Sequence, residues 1–154
     1  MSVVAVGSDD VYPLAKFVVR ELESREFIVK VYGALRTGSV YSWSRVGYEV
    51  ARAVASGEAA FGVVICYTGT GVSIAASKVP GIRAALCVDA QTARGARLWN
   101  DANVLAVSAR LTTEEVAKEI IEAWVSVDKP DPTEEENIRY LTKIEEEECK
   151  GRVA

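Results

Sequence analysis

Short β-branched runs alternate with longer amphipathic stretches along this chain, and that alternation constrains the fold more than any other feature. Val3–Val6 is an apolar run ended by Gly7, and Phe27–Tyr32 closes on Gly33. Ala60–Cys66, Ile82–Val88 and Val104–Val107 are further runs of the same kind. Segments this short and this apolar read as strands buried on both faces. Between them, apolar residues recur at helical spacing. Leu14, Phe17, Val18 and Leu22 do so in Pro13–Arg25, and Val46, Val50, Ala53 and Val54 in Trp43–Ser56, with Gly57 as a stop. Val72–Lys78, Ala90–Asn100 and Glu114–Val125 read as helices too. Asp89 is the expected N-cap of the second of these. Thr112 or Thr113 caps the third, and Glu115 completes a capping box if the cap is Thr112. Ala34–Ser42 is turn-rich and reads as a loop. Lys129-Pro130-Asp131-Pro132 breaks the chain before a last acidic helix, Thr133–Lys150.

Apolar strands in βα alternation require a parallel sheet covered on both faces. Right-handed crossovers then give an α/β fold, a three-layer Rossmann-like sandwich of about five parallel strands plus a C-terminal helix. The 154 residues, 49% of them apolar, form one domain that needs no disulfide or metal staple.

Composition narrows the chemistry. A net charge of -4 excludes partners held by bulk positive charge, namely nucleic acid and anionic membrane. There is no histidine, so the commonest general base and transition-metal ligand is missing. The cysteines, Cys66, Cys87 and Cys149, are odd in number and lack metal-binding spacing, which implies a reducing compartment with no zinc site. The N-terminus lacks a signal-peptide pattern and no apolar run is long enough to span a bilayer, so a soluble cytoplasmic protein is expected.

Ligands of open α/β sheets bind beyond the carboxyl ends of the strands. Those ends carry Gly7-Ser8-Asp9-Asp10, Cys66-Tyr67-Thr68-Gly69-Thr70-Gly71, Asp89 and Ser108. The glycine-rich segment lets a ligand approach the backbone, and the Gly69–Ser73 amides at a helix start suit an anion or a developing oxyanion. Its spacing is neither that of a P-loop nor G-x-G-x-x-G. Cys66 ends a strand close to a helix N-terminus, where a thiolate is favoured; the alternative is a small buried hydrophobe. Cys87, inside an apolar run, reads as core. Asp9 and Asp10 read either as ligands for substrate hydroxyls or as helix caps, and Trp99 as a core or interface residue.

Taken together, these residues resemble the ribose-5-phosphate isomerase type B and galactose-6-phosphate isomerase family. The likeness runs from Val4 to about Glu145. It rests on Gly7-x-Asp9, on Cys66-x-Thr68-Gly69-x-Gly71-x-Ser73-Ile74-Ala75-Ala76-x-Lys78, and on Gly81-Ile82-Arg83-Ala84. Arg97-x-x-Asn100-Asp101-Ala102-Asn103-Val104-Leu105 and Arg110 complete it. The resemblance implies an aldose–ketose isomerase of carbohydrate metabolism, of the pentose phosphate pathway type, working through an enediol without metal or organic cofactor. It implies a dimer or tetramer with sites between subunits, and residues 129–154 as a helical extension that packs on a partner subunit. Carried over, Cys66 shuttles the proton between C1 and C2. The Gly69, Thr70, Gly71 and Ser73 segment stabilises the enediolate oxygen. Thr68 and Asp9 hold or deprotonate sugar hydroxyls, and Asn100 contacts the substrate.

The chain also departs from the family. Trp99 stands where a ring-opening histidine is found, and Asp10 where a histidine helps bind phosphate. Thr133 and Asn137 occupy the positions of phosphate-clamping arginines, with Arg139 displaced from them by two residues. Tyr67 replaces a glycine and adds bulk at the mouth, and Trp43-Ser44 replaces Tyr-Pro. The proton-transfer half of the site is thus kept, and the ring-opening and phosphate-holding half is replaced. The expected substrate is a non-standard or unphosphorylated small sugar, with Asp10, Tyr67, Trp43, Trp99, Asn100 and Arg139 lining its site. The alternative is a non-catalytic sugar-binding paralogue or one subunit of a hetero-oligomeric isomerase.

Overall fold

The computed structural model describes residues 2–150. Five strands, β1 (Val3–Ser8), β2 (Ile28–Gly33), β3 (Gly62–Cys66), β4 (Ala84–Leu86) and β5 (Val104–Ser108), form one sheet in the order β2-β1-β3-β5-β4. Every pairing is parallel. The helices are α1 (Pro13–Ser24), α2 (Ala34–Thr37), α3 (Trp43–Ala55), α4 (Thr70–Ser77), α5 (Ala90–Asn100), α6 (Glu114–Ser126) and α7 (Glu135–Lys150). The doubly wound α/β sandwich expected from the alternation is the one observed. No helix among the described residues is long and apolar enough to cross a membrane.

The two-residue period of a strand divides each apolar run between two cores. Val4, Val6, Val63, Ile65, Leu105 and Val107 face α1 and α6, where Leu14, Val18, Leu22, Ile120 and Trp124 meet them. Ala5, Val64, Cys66, Val104 and Ala106 face the other way, onto Val46 and Val50 of α3 and Val72 and Ala76 of α4. Cys66 therefore belongs to the α3–α4 side. Those two helices touch closely at Gly47, where a Cβ would lie 2.9 Å from the Ala75 Cβ and 3.0 Å from the Val72 carbonyl oxygen. This contact seats α4, and the glycine loop before it, against the sheet.

Several boundaries differ from the sequence reading. The segment 34–42, expected as a loop, opens with α2, a single turn closed by Gly38 in the left-handed region at φ +79°. One helical turn is too short to carry a periodic signature. β4 is shorter than expected, Ala84–Leu86, and lies at the sheet edge beside β5. α4 starts at Thr70 rather than Val72. Thr113 is the cap of α6 and accepts from the Val116 amide, so no capping box with Glu115 forms. Thr112 is buried, and its amide donates to the Ser108 carbonyl. Asp131 caps a 3-10 turn, Pro132–Glu134, that precedes α7. In α7, Leu141 and Ile144 line a groove with Ile82, Ala84 and Ala85, and Glu145 accepts the Gly81 amide at 2.7 Å. Residues 151–154 of the expected extension lie outside the described residues.

Candidate active site

β1 and β3 are neighbours in register Ser8↔Ile65, and the Asp9 amide extends the ladder by donating to the Ile65 carbonyl at 3.2 Å. Asp9 and Cys66 thus leave the carboxyl edge side by side. On the other side, Cys66 pairs with Ser108 of β5. The Cys66 sulfur is almost wholly buried and accepts the Gly69 amide at 3.1 Å. Gly69 caps α4 at φ +79°, and a Cβ there would come within 2.6 Å of Leu86 Cδ1 and 3.0 Å of the Ser108 nitrogen. Only glycine turns the chain in this space.

The amides of the loop divide their work. Gly69 serves the sulfur, and the Ser73 amide donates to the Gly69 carbonyl inside the helix at 3.4 Å. Thr70, Gly71 and Val72 occupy the first turn of α4, where the helix offers their N–H groups no acceptor. Of these, Thr70 is exposed and Gly71 partly so, while Val72 is fully buried, so the Thr70 and Gly71 amides are the ones a ligand can reach. The Thr68 and Thr70 hydroxyls share a hydrogen bond of 2.8 Å beside them.

Aromatic side chains frame the loop. The Trp43 ring, half exposed at the start of α3, lies 2.7 Å from where a Gly71 Cβ would stand. Tyr67 is exposed, and the Arg110 guanidinium lies 5.9 Å from its ring centroid. The Arg110 amide and the Ser108 hydroxyl both donate to the Tyr67 carbonyl at 3.0 Å, tying the loop after β5 to the loop after β3. Arg110 is a cation at the mouth of the site.

Asp9 is partly buried, and desolvation raises its pKa above the usual carboxylate value. The Tyr12 hydroxyl, donating to Asp9 Oδ1 at 2.9 Å, works against that rise, while Asp10 adds to it. Tyr12 itself is held protonated, first by burial and then by Asp9, with smaller contributions from the Asp10 and Cys66 charges. Asp10 shapes the β1–α1 turn. Its carboxylate accepts the Val11 amide at 2.8 Å and its carbonyl the Ser8 hydroxyl at 2.6 Å. Cys87 is core, as expected, and burial pushes its thiol up to about 12.

Asp9, Asp10, Cys66, Tyr67, Thr68, Gly69, Thr70, Gly71, Ser73 and Trp43 therefore gather around one strand-end cluster. Trp99 and Asn100 stand elsewhere in the chain, in a groove along the β4 edge with Leu86, Asp89 and Gln91. The Trp99 ring folds back over Gly95, and Leu86 is the residue this groove shares with the surroundings of Gly69. Arg139 lies on the exposed face of α7, paired with Glu135 at 2.6 Å. Sequence reasoning missed Tyr12 and the placement of Arg110. The adjacent Pro13 was a signal for the first, since it holds Tyr12 extended, and position just past a strand end was a signal for the second.

The sequence model for the family described as Ribose/Galactose Isomerase matches residues 4–146. The chain belongs to the ribose/galactose isomerase family. It is an enzyme of the aldose–ketose isomerase class. Over 126 residues it is 37% identical to the D-erythrulose-4-phosphate isomerase of Pectobacterium atrosepticum, a match covering 81% of this chain and 83% of that protein. It is 38% identical over 150 residues to galactose-6-phosphate isomerase subunit LacB of Clostridium acetobutylicum, covering 94% and 82% of the two chains. The ribose-5-phosphate isomerase B of Escherichia coli is 42% identical over 98 residues, or 64% of this chain and 66% of that one. The solved ribose-5-phosphate isomerase B of Clostridium thermocellum superposes with a TM-score of 0.88 at 37% identity, covering 94% of this chain and 98% of that structure. The ribose/galactose isomerase family thus accounts for the fold.

Proposed function

We propose that this enzyme interconverts an open-chain aldose phosphate and its ketose by proton transfer through an enediol. The reading rests above all on Cys66, whose sulfur meets the Gly69 amide beside Asp9 and the first-turn amides of Thr70 and Gly71. The Cys66 thiolate takes the proton from C2 of the aldose. Electron density moves to O1, where the Thr70 and Gly71 amides receive the developing oxyanion. Asp9 relays the hydroxyl proton between O2 and O1, Thr68 holds a hydroxyl, and the Cys66 thiol returns its proton to C1. Atoms balance with no co-reactant.

The substrate class follows from what the site does not carry. The chain has no histidine to open a sugar ring, and the family resemblance puts Trp99 and Asp10 where its histidines are expected. A four-carbon sugar phosphorylated on O4 cannot close a furanose ring and needs no ring opening. Tyr67 narrows the mouth in the same direction, and Arg110 beside it supplies a cation for phosphate. A tetrose 4-phosphate is accordingly the best-suited substrate. The enzyme works as a homo-oligomer in the cytoplasm. A second copy covers exposed apolar side chains near the site and along β4, Tyr67, Val88, Trp99 and Leu111.

Solvent-deuterium incorporation into a panel of tetroses, pentoses and hexoses, with and without phosphate, tests the reading. Deuterium should enter the tetrose 4-phosphate fastest with wild-type protein and not at all with Cys66→Ala. No exchange into any sugar, or equal exchange by Cys66→Ala, overturns it. Exchange that appears only when another isomerase-family subunit is added identifies the chain as half of a hetero-oligomer instead.

A further inference from the structure

We propose that Tyr12 is a positioning residue of this site: its hydroxyl holds the Asp9 carboxylate ionised and in a single rotamer, leaving the second carboxylate oxygen to the substrate. The inference deepens the isomerase reading and rests on it for the role of Asp9.

The geometry begins in the backbone. Pro13 is the first residue of α1, and a proline restricts the residue before it to extended conformations. Tyr12 obeys, at φ -63° and ψ 141°. It occupies the N-cap position but makes no side-chain cap. Its hydroxyl turns instead to Asp9 Oδ1 at 2.9 Å, while its ring packs against the α1 side of the core. Asp9 is fixed from behind as well. Its amide donates to Ile65, and its carbonyl accepts the Tyr41 amide at 2.8 Å from the loop before α3. With the backbone pinned at both ends and one carboxylate oxygen held by Tyr12, χ1 and χ2 of Asp9 are set. Among the described residues Oδ2 accepts no side-chain hydrogen bond.

The electrostatics agree. The groups facing Asp9 are Asp10 on the same loop, Tyr12 at the start of α1 and Cys66 at the end of β3. Burial and Asp10 both favour the protonated acid. Among these side chains Tyr12 is the donor that favours the carboxylate, and its own proton is held firmly by the same surroundings. A relay that accepts a hydroxyl proton must start ionised and aimed, so losing this donor leaves less of Asp9 ionised on the acidic side and frees its rotamer.

Tyr12→Phe and Asp9→Asn, singly and together in the full chain, test the inference. Phe keeps the ring that packs on the core, so the variant retains its fold. Carboxyl carbon NMR follows Asp9 directly and needs no substrate, and the pH profile of kcat/KM follows it in turnover. In Tyr12→Phe the Asp9 midpoint and the acidic limb of the profile should both move to higher pH. kcat should fall about ten-fold while KM stays within about two-fold. In the Asp9→Asn background, Tyr12→Phe should cost nothing further. An unmoved Asp9 midpoint overturns the proposal, as does a double variant whose loss is the product of the single losses. If wild-type protein turns over no sugar phosphate while the Asp9 midpoint still shifts, the isomerase reading fails and the Tyr12–Asp9 link stands.

Discussion

The Gly69 amide donates to the Cys66 sulfur at 3.1 Å, so the residue that turns the chain into α4 also aims a dipole at the thiol. A backbone donor in that position fixes where the sulfur sits relative to the first turn of α4.

Cys66→Ser keeps an acceptor for Gly69 but replaces a polarisable thiolate with a hydroxyl that ionises far less readily. We expect kcat to fall by about 10²–10⁴-fold, since proton transfer by a positioned group contributes on that order. Thermal stability should change by less than about 1 kcal/mol, because the exchange is nearly isosteric. Stopped-assay rates together with thermal denaturation separate the two effects.

β1, β3 and β5 were legible because both of their faces are buried, so each reads as near-continuous apolar sequence, whereas β2 alternates, with Ile28 exposed and Lys30 paired to Glu58 at the surface. β4 was overextended because an edge strand can end while its apolar run continues through Cys87 and Val88, and α2 was invisible because one turn has no period. In the site, Cys66, Asp9 and the glycine loop were readable as strand-end residues. Arg110 on Tyr67 and Trp43 on Gly71 were not, because each pair meets through space between segments that no spacing rule connects, and Tyr12, though only three residues from Asp9, gives no sign in the sequence of which way its hydroxyl turns. Only the tertiary fold assigns such partners.

Gly69→Ala should be the most damaging single-methyl change in the loop. It places an L residue at φ +79° and drives a Cβ into Leu86 and the β5 backbone. Left-handed strain and overpacking together cost about 2–4 kcal/mol. Urea unfolding should show that loss in the midpoint with an unchanged slope.

Asp9→Asn should trade activity for stability in a pH-dependent way. In the folded chain burial raises the Asp9 pKa above 3.8, so the native state binds its proton more tightly than the unfolded state. The penalty for ionising Asp9 is absent below the unfolded value and sets in as pH rises through the folded one. Asn carries no such penalty and can still accept from Tyr12. The variant should therefore be more stable than wild type at neutral pH, by under about 1 kcal/mol because the group is partly solvated, and no more stable at pH 3. Denaturation midpoints at the two pH values check the sign.

Gly71→Ala sets two effects against each other. Gly71 lies inside α4 without a left-handed backbone, so alanine gains about 1 kcal/mol of helix propensity. The new Cβ, however, would stand 2.7–3.2 Å from three atoms of the Trp43 ring. That ring is half exposed at the start of α3 and can swing away, so displacement is easier than distortion of the helix. Stability should consequently change by less than about 1 kcal/mol. Trp43 should move into water, shifting its emission to longer wavelength, a signal isolated by subtracting the spectrum of a Trp43→Phe control. Because the ring frames the oxyanion-binding amides, KM should rise several-fold with the emission shift. An unshifted spectrum with unchanged KM would mean that the helix, not the indole, had yielded.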